Sequence, residues 1–286
     1  MIRGAKIKRW VIVVLVVLVY LPTFLWMKYR FLEHNSNYTH GFLIPIVSLY
    51  LIWKMKGELK EIPVTSSTKG LILLCAGLLL HLVSRCFMVD FASGISLIIV
   101  IFGLCLYLLG RRMTQKLIFP IGFLVFMVPL PEVLTLALTF HMKMFATYWA
   151  TVVTNFMGIP GVMDGAKIIL PNDFLEIGEP CSGIRSLITL LALGSLFAYL
   201  LSISYLKKFI LFLSAIPIAI LSNIVRIIFL IVVTYVYGQK AALEEPNHTI
   251  SGLLVFIVAL GGLGTVGRVL TWHKTDDMEA KDKNED

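Results

Sequence analysis

Cys181 is the residue of this chain best placed to act as a nucleophile, because it stands directly before a long apolar segment. It lies in the sequence EPCSGIRS at 179–186, and the apolar run continues to about residue 203. A thiol in the first turn of a membrane-spanning helix lies at the membrane surface, where water and a substrate reach it. The helix N-terminus also favours the thiolate over the thiol. This placement predicts thiol-based acyl transfer.

Small and basic neighbours of Cys181 are the second group of interest. Ser182 and Gly183 leave room for a peptide carbonyl to approach their backbone N–H groups, which then form an oxyanion hole. Arg185, four residues beyond the cysteine, is expected on the same helix face. It either binds the thiolate or a substrate carboxylate, or it extends to lipid headgroups or pairs with Glu179.

Two residues downstream complete the candidate site. Arg226 lies inside the apolar segment 207–237, where a charge is costly and a functional role is the default hypothesis; the alternative is a structural ion pair. Arginine stays protonated, so its tasks are stabilising a thiolate or oxyanion, or binding a carboxylate. Asn223, one turn before it, is expected to hydrogen-bond Arg226, as is Ser222.

His248, before the last apolar segment, is the expected general base for the thiol and acid for a leaving amine, unless it is a structural boundary histidine.

The elements that must position these residues are apolar helices. The 286 residues are 58% hydrophobic, with a mean hydropathy of +0.88. Soluble domains are nearer half apolar and rarely contain repeated apolar runs of about 18 residues or more. We therefore expect an all-α polytopic membrane protein, whose candidate segments are 10–27, 41–55, 70–88, 91–109, 117–131, 132–157, 181–203, 207–237 and 250–272.

Basic loops set the predicted topology, because loops rich in lysine and arginine stay in the cytoplasm. Such loops occur near the N-terminus and at 54–69, 111–116 and 207–208. Because the loops at 111–116 and 207–208 are both assigned to the cytoplasm, only an even number of the three apolar segments between them can cross the membrane. The arrangement predicts about eight transmembrane helices, both termini in the cytoplasm, and Cys181, Arg226 and His248 together on the outer face. His40 is expected on that face too and is a candidate to join the site.

The segment 132–157 is the one predicted not to cross. Lys143 lies at its centre, and threonines recur every four residues to form one polar stripe. We expect an amphipathic helix that lies along the outer surface or lines a polar cavity. The alternative is a ninth span in which Lys143 faces its neighbours, and it would move Cys181 to the cytoplasmic side.

The remaining segments are shorter. Residues 166–170 and 174–177 predict a short β-hairpin next to Cys181. The N-terminal apolar run has no small-residue cleavage site, so it is interpreted as an uncleaved first span. Residues 1–273 are expected to form one integral-membrane domain, and 274–286 a charged, disordered cytoplasmic tail.

Several function classes find no support in the sequence. The net charge of +8 comes from short clusters between apolar runs, which is the positive-inside pattern and not a nucleic-acid-binding stripe. Cys75, Cys86 and Cys105 have no metal-like spacing and are expected to be small buried hydrophobes. Metal-binding, nucleotide-binding and serine-hydrolase motifs do not occur. No metal or cofactor is expected, and no nucleic acid as a partner.

The chain resembles the exosortase/archaeosortase family of polytopic membrane cysteine enzymes. The resemblance rests on PCSGIRS at 180–186, SNIVR at 222–226, Asn247 with His248, and YTHGFLIP at 38–45, and it covers about residues 10–272. It implies Cys181 as nucleophile, Arg226 as the catalytic arginine and His248 as the third member. Histidine at the third position indicates the bacterial exosortase type, here without a fused C-terminal domain.

The resemblance also implies a function, that of a membrane cysteine protease or transpeptidase. Its expected partners are exported proteins with a C-terminal sorting signal: a PEP-CTERM-like motif such as Pro-Glu-Pro, a transmembrane helix and a basic cluster. Cleavage at the motif is expected to pass through a thioester, with transfer to an unknown surface acceptor. An outer arginine, Arg185 or Arg85, is the candidate reader of the acidic residue in the motif. The expected location is the cytoplasmic membrane.

Two other function classes remain open at the level of sequence. A transporter or channel would use Arg226 and Lys143 in a polar pathway, but it predicts polar residues repeated along several spans. A membrane-embedded assembly factor for polysaccharide machinery would not be catalytic, and substitution of Cys181 by serine would then be silent.

Overall fold

The structure, a computed structural model, describes three stretches of the chain: residues 2–33, 36–178 and 183–282. Within them, side chains are left undescribed at 2–10, 248 and 273–282. Cys181 and Ser182 therefore lie outside the described residues, and so does the side chain of His248.

The chain divides into two compact units, Met1–Pro131 and Glu132–Asp286. The described residues of the first unit form seven α-helices and two 3₁₀ turns: α1 (Ile2–Val19), α2 (Leu21–Leu32), the turn Thr39–Phe42, α3 (Leu43–Lys54), α4 (Lys56–Glu61), α5 (Thr68–Cys86), α6 (Asp90–Leu109), α7 (Arg111–Phe123) and the turn Leu124–Met127. The prediction of one domain over 1–273 stays a prediction, as does the disordered tail, although helical assignment continues to residue 282.

Helices α5 and α6 pack with their backbones close together. A Cβ on Gly70 would overlap the backbone of Tyr107, and one on Gly103 would lie 2.6 Å from the backbone nitrogen of Leu74. Without a hydrophobic driving force between helices in lipid, small residues at the contact are the usual means of association. The two glycines thus explain why this pair of apolar helices forms a tight hairpin.

Buried polar side chains join the break between α1 and α2 to this hairpin. The Tyr20 hydroxyl hydrogen-bonds Ser96 Oγ at 2.9 Å, and Thr23 Oγ1 hydrogen-bonds Ser93 Oγ at 2.6 Å. His81 Nδ1 hydrogen-bonds the same Ser93 Oγ at 2.9 Å. Inside a bundle, such bonds satisfy polar groups that lipid cannot satisfy. These contacts assign His81 a structural role.

The second unit is built around one long helix. Its described elements are α8 (Glu132–Phe156), β1 (Val162–Asp164), β2 (Lys167–Ile169), β3 (Phe174–Glu176), α9 (Ile184–Leu200), α10 (Tyr205–Tyr237), α11 (Gln239–Leu243) and α12 (Asn247–Asp282). Helix α10 packs against α9 and α12, and buried Leu190, Ala215 and Leu263 belong to the core that these three helices share.

The predicted β-hairpin is confirmed, and a third strand extends it. Strands β2 and β3 pair antiparallel with Ile168 opposite Leu175, and β1 pairs antiparallel with β2. Strands of three residues are not stable alone. Ile168 and Leu175 are fully buried in a cluster that includes Ile227 and Leu230 of α10, which holds the sheet against that helix.

Helix α8 turns its threonine face toward the protein interior. Thr147, Thr151 and Thr154 are buried, and the hydroxyls of the last two donate to carbonyls one turn back in the same helix. The opposite face exposes Tyr148 and Trp149, with other large apolar side chains. The threonines of the predicted polar stripe therefore lie in packing contacts, where a threonine bonded to its own backbone is tolerated. That the helix lies along the outer surface or lines a polar cavity stays a prediction.

Among the described residues, four helices are long and apolar enough to cross a membrane, and up to six if two broken pairs each count as one span. The four are Thr68–Cys86, Asp90–Leu109, Tyr205–Tyr237 and Thr249–Trp272. The broken pairs are Val11–Val19 with Leu21–Leu32, and Arg111–Met127 with Glu132–Phe156.

Eight spans are thus not confirmed. Helix α3 has 12 residues, about 18 Å at 1.5 Å per residue, which is shorter than the roughly 30 Å hydrocarbon core. Helix α9 has 17 residues, the lower limit for a span.

Candidate active site

The segment with the cysteine motif leads into α9 through a glycine. Helix α9 begins at Ile184, and Gly183 precedes it with a φ of +81°. The described helix thus starts three positions after Cys181. The expectation that Arg185 shares a helix face with Cys181 requires the helix to include residue 181, so that relation stays a prediction.

Gly183 packs directly on Asn223 of α10. A Cβ on Gly183 would lie 2.8 Å from Asn223 Nδ2 and 2.9 Å from its Cγ. The backbone at residue 183 also adopts the left-handed conformation that side chains disfavour. Both constraints require glycine here, and they fix the end of the cysteine segment against the α10 motif at 222–226.

The side chain of Asn223 lies inside the protein and forms no hydrogen bond with the described residues. It is 1% exposed, and neither Nδ2 nor Oδ1 has a partner in the described structure. The expectation that Asn223 bonds Arg226 is therefore wrong. Ser222 also bonds elsewhere, since its hydroxyl donates to the Ile218 carbonyl at 2.7 Å, one turn back in the same helix.

Arg226 is held by α12 instead. Its Nε donates to Ser251 Oγ at 3.2 Å, and Ser251 is fully buried. Residue 248 lies three positions earlier in the same helix, so the positions of His248 and Ser251 share one face of α12. The contact ties α10 to the first turns of the helix that carries the predicted third member. Whether His248 acts in the site stays a prediction.

Arg185 adds a second guanidinium to this region. Its Nε is buried without a hydrogen-bond partner among the described residues, and its charge repels that of Arg226. None of the ion pairs between described residues includes Arg185. Two neighbouring positive groups in a half-buried site attract an anionic or strongly polarised group.

The three-stranded sheet is anchored at the end of α10 by Asp173. Its Oδ2 accepts a 2.6 Å bond from the Gln239 backbone N–H, and its Oδ1 accepts one from the Phe174 N–H. These bonds lower the pKa of the Asp173 carboxyl below its ordinary value. The bonds hold the turn between β2 and β3 at the start of α11.

Two residues that were predicted to act in the site, His40 and Arg85, belong to the first unit. His40 lies in the 3₁₀ turn Thr39–Phe42, with its ring 6.0 Å from that of Tyr38. Its part in the site stays a prediction. Arg85 forms an ion pair with Asp90 at 2.6 Å, so Arg185 is the better candidate to read an acidic substrate residue.

The other cysteines do not form a second site in the described structure. Cys105 is half-buried, but Cys75 and Cys86 are exposed, so their predicted burial is wrong. Lipid tails are as apolar as the interior of a helix bundle, so an apolar side chain on a membrane helix gains little from being turned inward, which explains the difference. No group of three or more histidine, cysteine, aspartate or glutamate residues within the described chain is placed to hold a metal ion.

Sequence reasoning missed Ser251 and Asp173. Ser251 could have been noticed because it lies one helical turn after His248. Nothing in the sequence, however, indicates which residue of α10 it hydrogen-bonds. Asp173 follows Pro171 and Asn172 in a turn, where carboxylates often accept backbone bonds. Its partner Gln239 is 66 positions away, and only the fold brings the two together.

The fold and the site define a helical membrane protein with two arginines and a buried asparagine grouped at the start of α9. The family model described as "Transmembrane exosortase (Exosortase_EpsH)" matches residues 26–265, which is more than half of the chain. The chain therefore belongs to the exosortase family. Searches of the curated proteins and of the solved structures found no match to it.

Proposed function

We propose that this exosortase-family chain is a membrane cysteine transpeptidase or protease that processes exported proteins at a C-terminal sorting signal. Family membership supports the proposal. The observation that carries it is the meeting of Gly183 and Asn223 beside Arg185 and Arg226, with Ser251 holding Arg226. This group of residues borders the segment with the family's cysteine motif.

The proposed reaction begins at the Cys181 thiol. His248 takes the thiol proton, and the thiolate attacks the scissile carbonyl carbon to form a C–S bond. The oxyanion is stabilised by the backbone amides near Ser182 and Gly183 and by the positive charge of Arg226. When the intermediate collapses, the C–N bond breaks and His248 returns the proton to the leaving amine. A thioester remains on Cys181.

The second half of the reaction releases the product. An amine or hydroxyl of a surface acceptor, or water, attacks the thioester carbonyl and gives up its proton to His248. The C–S bond then breaks, and the departing thiolate takes the proton back from His248, which restores the Cys181 thiol. The same residues serve both halves because each passes through an oxyanion at the same carbon.

The proposed substrates carry a motif such as Pro-Glu-Pro, a transmembrane helix and a basic cluster. The substrate helix would lie among the spans with its motif at the outer surface, near the sheet formed by β1–β3. Arg185, which forms no ion pair with a described residue, is the proposed reader of the acidic side chain. The proposed topology keeps eight spans, cytoplasmic termini and an outer active site. His40 is a proposed additional contributor.

Processing in cells tests the proposal. The chain is co-expressed with a substrate that carries the three-part signal, and the cleaved product is followed on a gel in wild type and in Cys181→Ala, Arg226→Ala and His248→Ala. We expect each substitution to abolish or strongly reduce processing. Cys75→Ala is the matched control, because Cys75 lies in the first unit on the exposed face of α5. Processing that survives in Cys181→Ala contradicts the proposed nucleophile.

A further inference from the structure

Asn223 is a buried amide whose hydrogen-bonding groups are unused. It is 1% exposed, and neither its nitrogen nor its oxygen has a partner among the described residues. Buried polar groups in folded proteins nearly always have partners, because leaving one unpaired costs free energy. An apolar side chain of similar size would avoid that cost. The asparagine at this position therefore calls for a partner that the described residues do not supply.

The location of Asn223 indicates which partner that is. Its side chain lies against Gly183, where even a Cβ would come within 2.8 Å of Nδ2. Gly183 is two residues after Cys181, and two residues of chain span at most about 7 Å. The unpaired amide is thus confined by covalent geometry to the neighbourhood of the nucleophile.

Two of the three described residues of the second unit that have an unpaired buried side-chain atom lie at this place. Of the described residues of that unit, Thr147, Arg185 and Asn223 have a buried side-chain nitrogen or oxygen without a partner. Asn223 lies against the residue before α9, and Arg185 lies in the first turn of α9. Unpaired polar groups at the edge of a site are available to a ligand.

We propose that Asn223 is a catalytic residue of the exosortase reaction whose Nδ2–H donates a hydrogen bond to the oxygen of the carbonyl that Cys181 attacks. This inference rests on the proposed function and adds a neutral side-chain donor to the backbone amides and Arg226. The donor is fixed in place by its packing against Gly183. A donor in position before the reaction stabilises the developing oxyanion without reorganisation.

The amide group has the properties this task requires. A neutral donor strengthens its bond as the carbonyl oxygen gains negative charge, and it transfers no proton that must be returned. Asparagine is also short, so its head group is held rigidly by the α10 backbone. Arg226, one turn later, is already engaged by Ser251 and supplies charge. The two side chains thus have different tasks in stabilising the same intermediate.

The test uses Asn223→Ala and Asn223→Leu in the full-length chain, reconstituted in membranes with a substrate that carries the signal. Leucine keeps the volume and removes the donor, so it separates loss of the bond from creation of a cavity. The single-turnover rate of thioester formation is expected to fall about 10²–10³-fold in both variants. Substrate KM is expected to change little. The thermal midpoint of the leucine variant should not fall, because an unpaired buried amide is removed.

Thr147→Val is the matched control, because it also removes a buried oxygen without a partner, in α8. Its acylation rate is expected to stay within about twofold of wild type. A wild-type acylation rate in either Asn223 variant overturns the inference. A slow rate accompanied by a lower thermal midpoint in both variants also overturns it, because Asn223 would then be structural. Loss of processing in Cys181→Ala with normal rates in the Asn223 variants leaves the proposed function standing and removes only this inference.

Discussion

Gly183 is the single residue on which the geometry of the site depends most. Its φ of +81° and its contact with Asn223 leave no room for a side chain. The turn it forms sets the path by which the cysteine segment enters α9. Beside it, Arg226 is fixed by Ser251, so two contacts join the start of α9 to α10 and α10 to α12.

We predict that Gly183→Ala destabilises the protein and abolishes processing. Alanine in the left-handed conformation costs about 1–2 kcal/mol, and the new Cβ also displaces Asn223. The thermal midpoint in detergent and the processing rate should both fall. Gly264→Ala is the control, because a Cβ there meets nothing within 4 Å. Equal behaviour of the two variants would show that the turn at Gly183 is not required.

We predict that Ser251→Ala slows processing about tenfold with little change in protein level. The hydroxyl accepts a bond from the charged Nε of Arg226, and bonds to charged groups contribute about 1.5–3 kcal/mol. Ser214→Ala is the comparison, because that hydroxyl donates only to the Leu211 carbonyl in its own helix. Initial processing rates measure both variants. An unchanged rate in Ser251→Ala contradicts a role for this contact.

At the scale of elements, α10 organises the second unit. It packs against α9 and α12, carries Asn223 and Arg226, and supports the sheet through Ile227 and Leu230. The sheet has nine residues in strands and depends on α10 for its core. Asp173 then joins the sheet to the start of α11. A structural change in the sheet is therefore expected to disturb the end of α10 as well.

We predict a pH-dependent contribution of Asp173 to stability. Its pKa in the folded protein lies below the ordinary value of 3.8, so the carboxylate stabilises the fold above that value. The stabilisation is lost as the pH falls through the lower folded-state pKa. Asp173→Ala should lower the thermal midpoint at pH 7, and its difference from wild type should shrink below about pH 4.

Asp164→Ala serves as the control for this measurement, because Asp164 lies in β1 of the same sheet. Its thermal midpoint should stay close to that of wild type at both pH values. A difference between wild type and Asp173→Ala that is constant from pH 7 to pH 3 would contradict the role assigned to the carboxylate.

At the scale of the whole molecule, composition predicts the helical membrane class and the motifs predict the family. The β-hairpin follows from the turn residues between its strands, whereas β1 was not predicted and is recognised only from its pairing with β2. The eight predicted spans are not confirmed, because apolar runs do not report where a helix breaks. Helix α3 covers only part of the run 41–55. The grouping of Gly183, Asn223, Arg226 and Ser251 depends on helix packing, which one sequence does not encode in any local pattern.

We predict that the sheet and the loop before α10 lie on opposite sides of the membrane. In a chain with its four cysteines replaced by alanine, single cysteines are introduced as Asp164→Cys and Lys208→Cys. A membrane-impermeant maleimide should label Asp164→Cys in intact spheroplasts, and Lys208→Cys only after the membrane is opened. Labelling of Lys208→Cys alone in intact cells would place the active site on the cytoplasmic face and contradict the topology.

The most direct test of the central claim is to locate the acyl group on the enzyme. The chain is mixed with a sorting-signal substrate, quenched in acid and digested, and the modified peptide is identified by mass spectrometry. We predict a hydroxylamine-sensitive thioester that joins the substrate to Cys181 in the wild type. No adduct should form on Cys75, Cys86 or Cys105. Substrate processing without an adduct on Cys181, together with unchanged processing in Cys181→Ala, would contradict the account.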